Sequence, residues 1–356
     1  MEIVALILGV FLLALVYWDL FETIVVPRPT PGWFRIGRYI IRGAWSVLRR
    51  LRDGRPGGLY DRLLGLFAPA ATVALLAAWL VALILGFGFI LYALRDELQP
   101  APVDFGTSLY FAATSVLTLG FGDVTAAGGP ARIIVTLAAI SGLGLIALVV
   151  TFLFSLYGSY QRREQLVVIL QASAGAPPSA VSLLETYAEL DLVDRLPELF
   201  RDWQRWAAEV LDSHVSYPLL NYFRSSHDDL SWISALGTVL DAASLVLTTI
   251  EGVPRGDAKI FKRVGTHLVE DIYNFGFRTG MPSSLDRSDF EAACYRLREA
   301  GYRLESFDAA WPHFEAARAT YALRLEAMAR YWATPAAQWL GDPVVLRVPL
   351  HRRDDQ

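Results

Sequence analysis

Six consecutive residues, Thr118-Leu119-Gly120-Phe121-Gly122-Asp123, carry groups suited to holding a dehydrated cation. Such an ion needs a shell of oxygens in place of its water, and backbone carbonyls supply one when several face a common axis. Residues in left-handed dihedrals, alternating with ordinary ones, turn successive carbonyls to one side. Glycine takes that conformation without steric penalty. Gly120 and Gly122 alternate with Leu119 and Phe121 in the required way. Thr118 adds a hydroxyl at one mouth, and Leu119 and Phe121 are expected to pack outward and fix the width of the ring.

The elements around this stretch must aim it. Phe105–Val116 reads as a helix of about 12 residues, too short for a bilayer that requires roughly 20. Asp104 is its expected N-cap. Its C-terminal end then points at the Thr118 mouth, where the helix dipole favours a cation. A helix that enters and returns is tolerated in a membrane only where protein buries it or water lines it. Long apolar stretches flank it at 69–94 and 131–157. Together these describe a pore loop between two spanning helices.

At these residues the chain resembles the potassium channel family. Tyr110 through Asp123, YFAATSVLTLGFGD, is similar without a gap to that family's pore-helix and filter signature. The likeness extends over roughly Ala68–Tyr157. It implies that Thr118, Leu119, Gly120, Phe121 and Gly122 line a selectivity filter for K+, with Asp123 anchoring its outer end. It also implies a gating hinge at Gly142, ten residues past Arg132, with Leu143, Ile146, Val150, Thr151 and Phe154 facing the pore. An apolar constriction at Val150–Phe154 would gate by dewetting. Close helix packing through Ser141-Gly142-Leu143-Gly144 is the alternative reading of both glycines. Three residues depart from the family pattern. Phe121 replaces the commoner tyrosine, removing a phenol that braces the filter, Leu119 stands for valine or isoleucine, and Leu117 for a threonine. One loop cannot surround an ion, so four chains are expected in a cyclic homotetramer.

Composition agrees with a membrane protein. The 356 residues are 54% hydrophobic, and the apolar excess lies before residue 160. Residues 1–159 hold 11 arginines against 9 acidic residues, whereas the remainder is acidic. No basic patch interleaved with aromatics points to nucleic acid. Cys294 is the single cysteine, which excludes an intrachain disulfide and suits a reducing compartment.

In chain order, 1–27 reads as an uncleaved spanning helix, with Asp19 and Glu22 near its end expected to form structural pairings at the headgroups. Segment 28–67 holds nine arginines from Arg28 to Arg62 and an amphipathic pattern from Trp33 to Leu51. It is expected to lie on the cytosolic leaflet, against anionic lipid. By the positive-inside rule the N-terminus and filter loop then face outward, the C-terminal half is cytoplasmic, and the protein is a multi-pass plasma-membrane protein. The pore domain occupies 68–158, a linker 159–177, and a helical domain 178–356. The fold class is therefore all-α: three transmembrane helices, a re-entrant helix with its filter, and an all-α cytosolic domain.

Within that last domain, helices are expected near 178–189, 193–213, 230–250, 256–276 and 309–333, with capping boxes at Ser226–Asp229 and Ser288–Glu291 and a short extended tail at Val344–Val348. The 230–250 helix is apolar, but Asp241 argues for a buried soluble helix over a fourth span, with Arg224 or Arg278 as its partner. No glycine-rich nucleotide-binding turn is present, the five histidines are scattered, and no nucleophile–base arrangement stands out. An enzyme is not expected, nor an organic cofactor. An ion-uptake transporter subunit would need four such loops in one chain. A sensor would place a ligand pocket in 178–340, leaving an unknown cytosolic ligand open as a partner.

Overall fold

A computed structural model describes residues 2–26, 36–53, 59–225, 229–274, 285–335, 337–342 and 344. The protein is an all-α membrane protein. Among the described residues, three helices are long and apolar enough to cross a bilayer, within Glu2–Ile24, Arg62–Ala93 and Gly129–Ala174. Two compact units emerge, Met1–Gly158 with Val215–Phe223, and Ser159–His214 with Arg224–Gln356.

In the first unit, α1 (Glu2–Leu20) ends in one wider π-turn, Phe21–Val25, that leaves Glu22 buried. α2 (Ile36–Asp53) is strongly amphipathic and buries Trp45 completely. α3 (Leu59–Ala93) starts ten residues before the expected outer helix, so Pro69 lies inside it and not in its first turn. The apolar run 63–68 continues the helical face across that proline, and membrane helices accept prolines where neighbours re-satisfy the backbone. α4 (Phe105–Val116) is the short pore helix, and α5 (Gly129–Ala174) follows it. A 46-residue helix is roughly 70 Å long, more than twice the hydrocarbon thickness, so α5 extends well beyond a membrane.

α1 packs along α3 at very short range. A Cβ on Gly9 would sit 2.7 Å from the Gly86 carbonyl, so only glycine permits this approach. Asp19 accepts a hydrogen bond from the Trp79 indole (2.8 Å), and Tyr17 shares one with Ser141 of α5 (2.5 Å). The expected structural pairing of Asp19 therefore exists, made with an indole. Apolar side chains of α1, α3, α4 and α5 fill one core.

The second unit is organised around α8 (Trp232–Thr248), which is buried from Trp232 to Val246. α6 (Ala180–Glu189), α9 (Gly256–Asn274), α11 (Phe307–Ala319) and α12 (Ala322–Trp332) surround it, with α7 (Leu196–Ser216) and α10 (Arg287–Glu299) completing the unit. Fifteen buried residues in one 17-residue helix explain its span-like hydropathy: protein covers it on every side. Asp241 is paired with Arg318 (3.2 Å) and accepts from the Tyr321 hydroxyl (2.6 Å). Arg224 donates to the Ala333 carbonyl, and Arg278 lies outside the described residues.

Both capping boxes sit elsewhere than expected. α8 is capped by Ser231 with Ser234, and α10 by Asp286 with Asp289, because these residues place a side-chain oxygen three positions before the matching N–H. Of the 226–229 stretch only Asp229 is described, and Ser288 lies inside α10. The 309–333 helix is two helices broken at Thr320–Tyr321, where the Tyr321 side chain turns in to Asp241. Of the expected tail only Val344 is described, and it is not in a strand.

Candidate functional site

The pore loop begins with Asp104, whose side chain accepts from the Thr107 N–H (2.8 Å) and hydroxyl (3.0 Å), fixing the start of α4. Hydroxyl residues at the other end, Thr114 and Ser115, bond back to the Phe111 carbonyl. There the chain leaves the helix without losing contact with it. Leu117, Thr118 and Leu119 donate their N–H groups to the carbonyls of Ala113, Ser115 and Thr114, at 2.9, 3.1 and 2.7 Å.

Beyond this point the backbone alternates. Thr118, Gly120 and Gly122 have φ of +56°, +56° and +82°, while Leu119 and Phe121 between them do not. Left-handed residues at every second position turn the intervening peptide groups toward one side, the arrangement a line of carbonyl ligands requires. Thr118 adopts this region although it has a Cβ, a strain of about 1–2 kcal/mol that the three hydrogen bonds at the end of α4 oppose.

The outer side of the loop is tied down by contacts that sequence reasoning did not identify. The Tyr110 phenol faces the Asp123 carboxylate, and its ring lies parallel to Phe121 (6.5 Å, 7°). α4 thus supplies a phenol that braces the segment where Phe121 has none. Loop entry and exit are paired in a two-residue ribbon, β1 (Leu98–Gln99) with β2 (Thr125–Ala126). Beside it, Glu97 accepts from the Ala131 N–H at the start of α5 (3.0 Å), with its carbonyl taking the N–H groups of Ala127 and Gly128. A Cβ on Gly128 would collide with the Glu97 side chain at 2.4 Å. An acidic residue 34 positions before a helix start offers no local signal. The Gly128-Gly129 pair is the one available hint.

The two glycines of α5 separate sharply. A Cβ at Gly142 would lie 1.8 Å from the Val116 carbonyl, whereas one at Gly144 meets nothing within 4 Å. Gly142 is where the C-terminal end of α4 rests on α5, which is the close-packing alternative for this residue. Further along, Val150 and Phe154 are exposed, the latter at 78%, and the Thr151 hydroxyl returns to the Ala147 carbonyl. Around the loop, Leu119 and Phe121 are 54% and 67% exposed. Among the described residues no group of three or more acidic, histidine or cysteine side chains is placed to hold a metal ion.

This short helix, its alternating backbone and the two long flanking helices coincide with a match to a known protein family. Residues 79–158 match the family described as "Ion channel". The match supports an ion-channel pore in this segment and a channel or transporter over an enzyme. No curated protein and no solved structure matches the chain.

Proposed function

We propose that this chain is the subunit of a homotetrameric, potassium-selective channel of the plasma membrane, conducting passively through the carbonyls of Thr118 to Gly122. The observation that carries the reading is the alternation of left-handed dihedrals at Thr118, Gly120 and Gly122, directly at the C-terminal end of a re-entrant helix. K+ is the cargo, exchanging its hydration water for those oxygens. Apolar side chains exposed on a single chain at Leu119, Phe121 and Phe154 support assembly around a shared axis, since large exposed apolar clusters mark contact surfaces. Glu2 pairs with Arg95 (2.9 Å), so the N-terminus and the filter loop share one face of the membrane, outside by the charge of 28–62. Opening is controlled at α5, at Val150–Phe154, and modulated by the cytosolic helical half.

The test is ion flux from proteoliposomes holding purified protein of verified tetrameric state. Potassium should be preferred over sodium by more than about tenfold, or about 1.4 kcal/mol. Gly120→Ala, which forces a Cβ onto φ +56°, should abolish that preference. A tetramer that passes both ions equally is a nonselective cation pore, and one that passes neither is not a channel.

A further inference from the structure

Nine residues that lie late in the chain pack with the membrane half of the molecule. Val215–Phe223 belongs to the first unit, although the residues on both sides of it belong to the second. Its centre is a tight 3-10 turn, Pro218–Tyr222, with Leu219 and Leu220 buried. The Tyr222 ring meets Trp45 of α2 (5.2 Å, 69°) and Phe67 of α3 (5.7 Å), and those two rings touch each other (5.0 Å), closing an aromatic trio. On the other flank, Tyr217 lies edge-on to Phe152 of α5 (5.8 Å), and Phe223 to Tyr157 (5.8 Å). One short segment therefore stands between the far part of α5 and the start of α3.

Both ends of the segment are tied to α5 itself. On the entering side, the His214 ring nitrogen Nε2 bonds the Arg163 guanidinium (3.1 Å). Nδ1 then carries the proton and donates to the Val210 carbonyl (2.9 Å). Arg163 is fully buried, bonds Glu164 (2.9 Å), and lies over the rings of Tyr160 and Trp232. On the returning side, the Arg224 carbonyl accepts from the Tyr160 hydroxyl (3.2 Å). α5 is gripped at Phe152, Tyr157, Tyr160 and Arg163, over three turns that begin beside Val150–Phe154.

We propose that residues 215–223 are a strap that wedges the cytosolic part of the pore-lining helix away from α3 and so restrains opening. The inference rests on the channel reading. Widening a pore at Val150–Phe154 requires α5 to move toward the helices behind it, and there it meets the aromatic content of the strap. The strap is also the route by which the C-terminal half reaches the gate, since its two ends continue covalently into that half.

The test uses the full-length protein in proteoliposomes, with K+ flux per verified tetramer as readout. Tyr217→Ala combined with Tyr222→Ala should raise flux by about fivefold or more, because it removes two edge-to-face aromatic contacts, Tyr217 on Phe152 and Tyr222 on Trp45. If the double variant fails to assemble, Phe67→Cys with Tyr222→Cys replaces it. Cross-linking that pair with a short bis-maleimide should lower flux below that of the same protein left unlinked. Flux unchanged in the assembled alanine variant, or unchanged by a cross-link verified by mass spectrometry, overturns the strap. Absence of K+ flux in the unaltered tetramer removes the channel reading first, so the two failures are distinguishable.

Discussion

The filter segment and the C-terminal helical unit place large apolar side chains in opposite ways. Leu117, Leu119 and Phe121 stand exposed, as does Phe154 further on, while Gly142 lies hard against the Val116 carbonyl. In the C-terminal unit Phe200, Trp203, Phe261, Phe290 and Phe314 are all buried, and an apolar helix runs through the middle. The second arrangement is complete as one chain, because burial of apolar area is satisfied within it. The first leaves its apolar surface to be covered by lipid or by other copies of itself. Stability in one unit therefore rests on internal burial, and in the other on backbone fit and on what surrounds it.

That contrast can be broken most severely at Asp241. It is a buried charge at the centre of the C-terminal unit, with burial pushing its carboxyl up and Arg318 pulling it back. Asp241→Ala breaks the buried pair with Arg318 and removes the carboxylate that accepts from the Tyr321 hydroxyl, a loss of about 3–5 kcal/mol. Thermal unfolding of the full-length protein should show a transition lowered by many degrees. An unchanged transition would mean that internal pairing does not hold this unit together.

In the pore unit the sharper probe is a single methyl group. Gly142→Ala drives a Cβ into the Val116 carbonyl and should cost about 1–3 kcal/mol, at the upper end because the obstacle is backbone. Gly144→Ala meets nothing in its own chain and should leave the protomer folded. Detergent stability of the assembled protein separates the two variants. Equal behaviour would return Gly142 to the role of a flexible hinge.

A smaller effect, graded by pH, is expected at His214. Burial, and next the facing Arg163, hold its pKa well below the ordinary value of about 6.5. The unfolded chain then binds a proton that the folded one refuses. Stability is complete above about pH 6.5 and declines as pH falls below it, by at most about 1.4 kcal/mol per unit until the depressed folded value is reached. His214→Gln, which keeps an acceptor for Arg163, should flatten that decline in unfolding temperature measured from pH 7.5 to 5.

What the amino-acid sequence revealed divides along the same line. The pore helix was legible to the residue, because a cap, a length and a glycine alternation are all local features: Asp104, Phe105–Val116, Gly120 and Gly122. The buried character of 230–250 was legible from one charge, Asp241, but its partner was not, since Arg318 lies 77 residues away in the chain and only packing brings them together. For the same reason Glu97, Tyr110 and the strap could not be found. Each acts through a neighbour that no spacing rule connects to it. Pro69 misled by being a good helix start in isolation, while the apolar face on both sides of it kept the helix going.

The mildest test concerns a charged contact between α1 and the loop side of the membrane unit. Glu2 and Arg95 are bonded at 2.9 Å, but both side chains are more than a third exposed. Water competes for each of them, and two flexible side chains must be held, so such a pair contributes less than about 1 kcal/mol. The packing of α1 on α3 does not depend on it, because Gly9 against Gly86 and Asp19 with the Trp79 indole fix that interface along its length. Glu2→Gln should therefore leave K+ flux unchanged and shift detergent stability by no more than a degree or two. Raising the salt concentration should remove even that difference, since the contact is screened. A large loss would mean that α1 is held by its end and not by its face, and the close glycine contact would no longer explain why this helix stays with the pore.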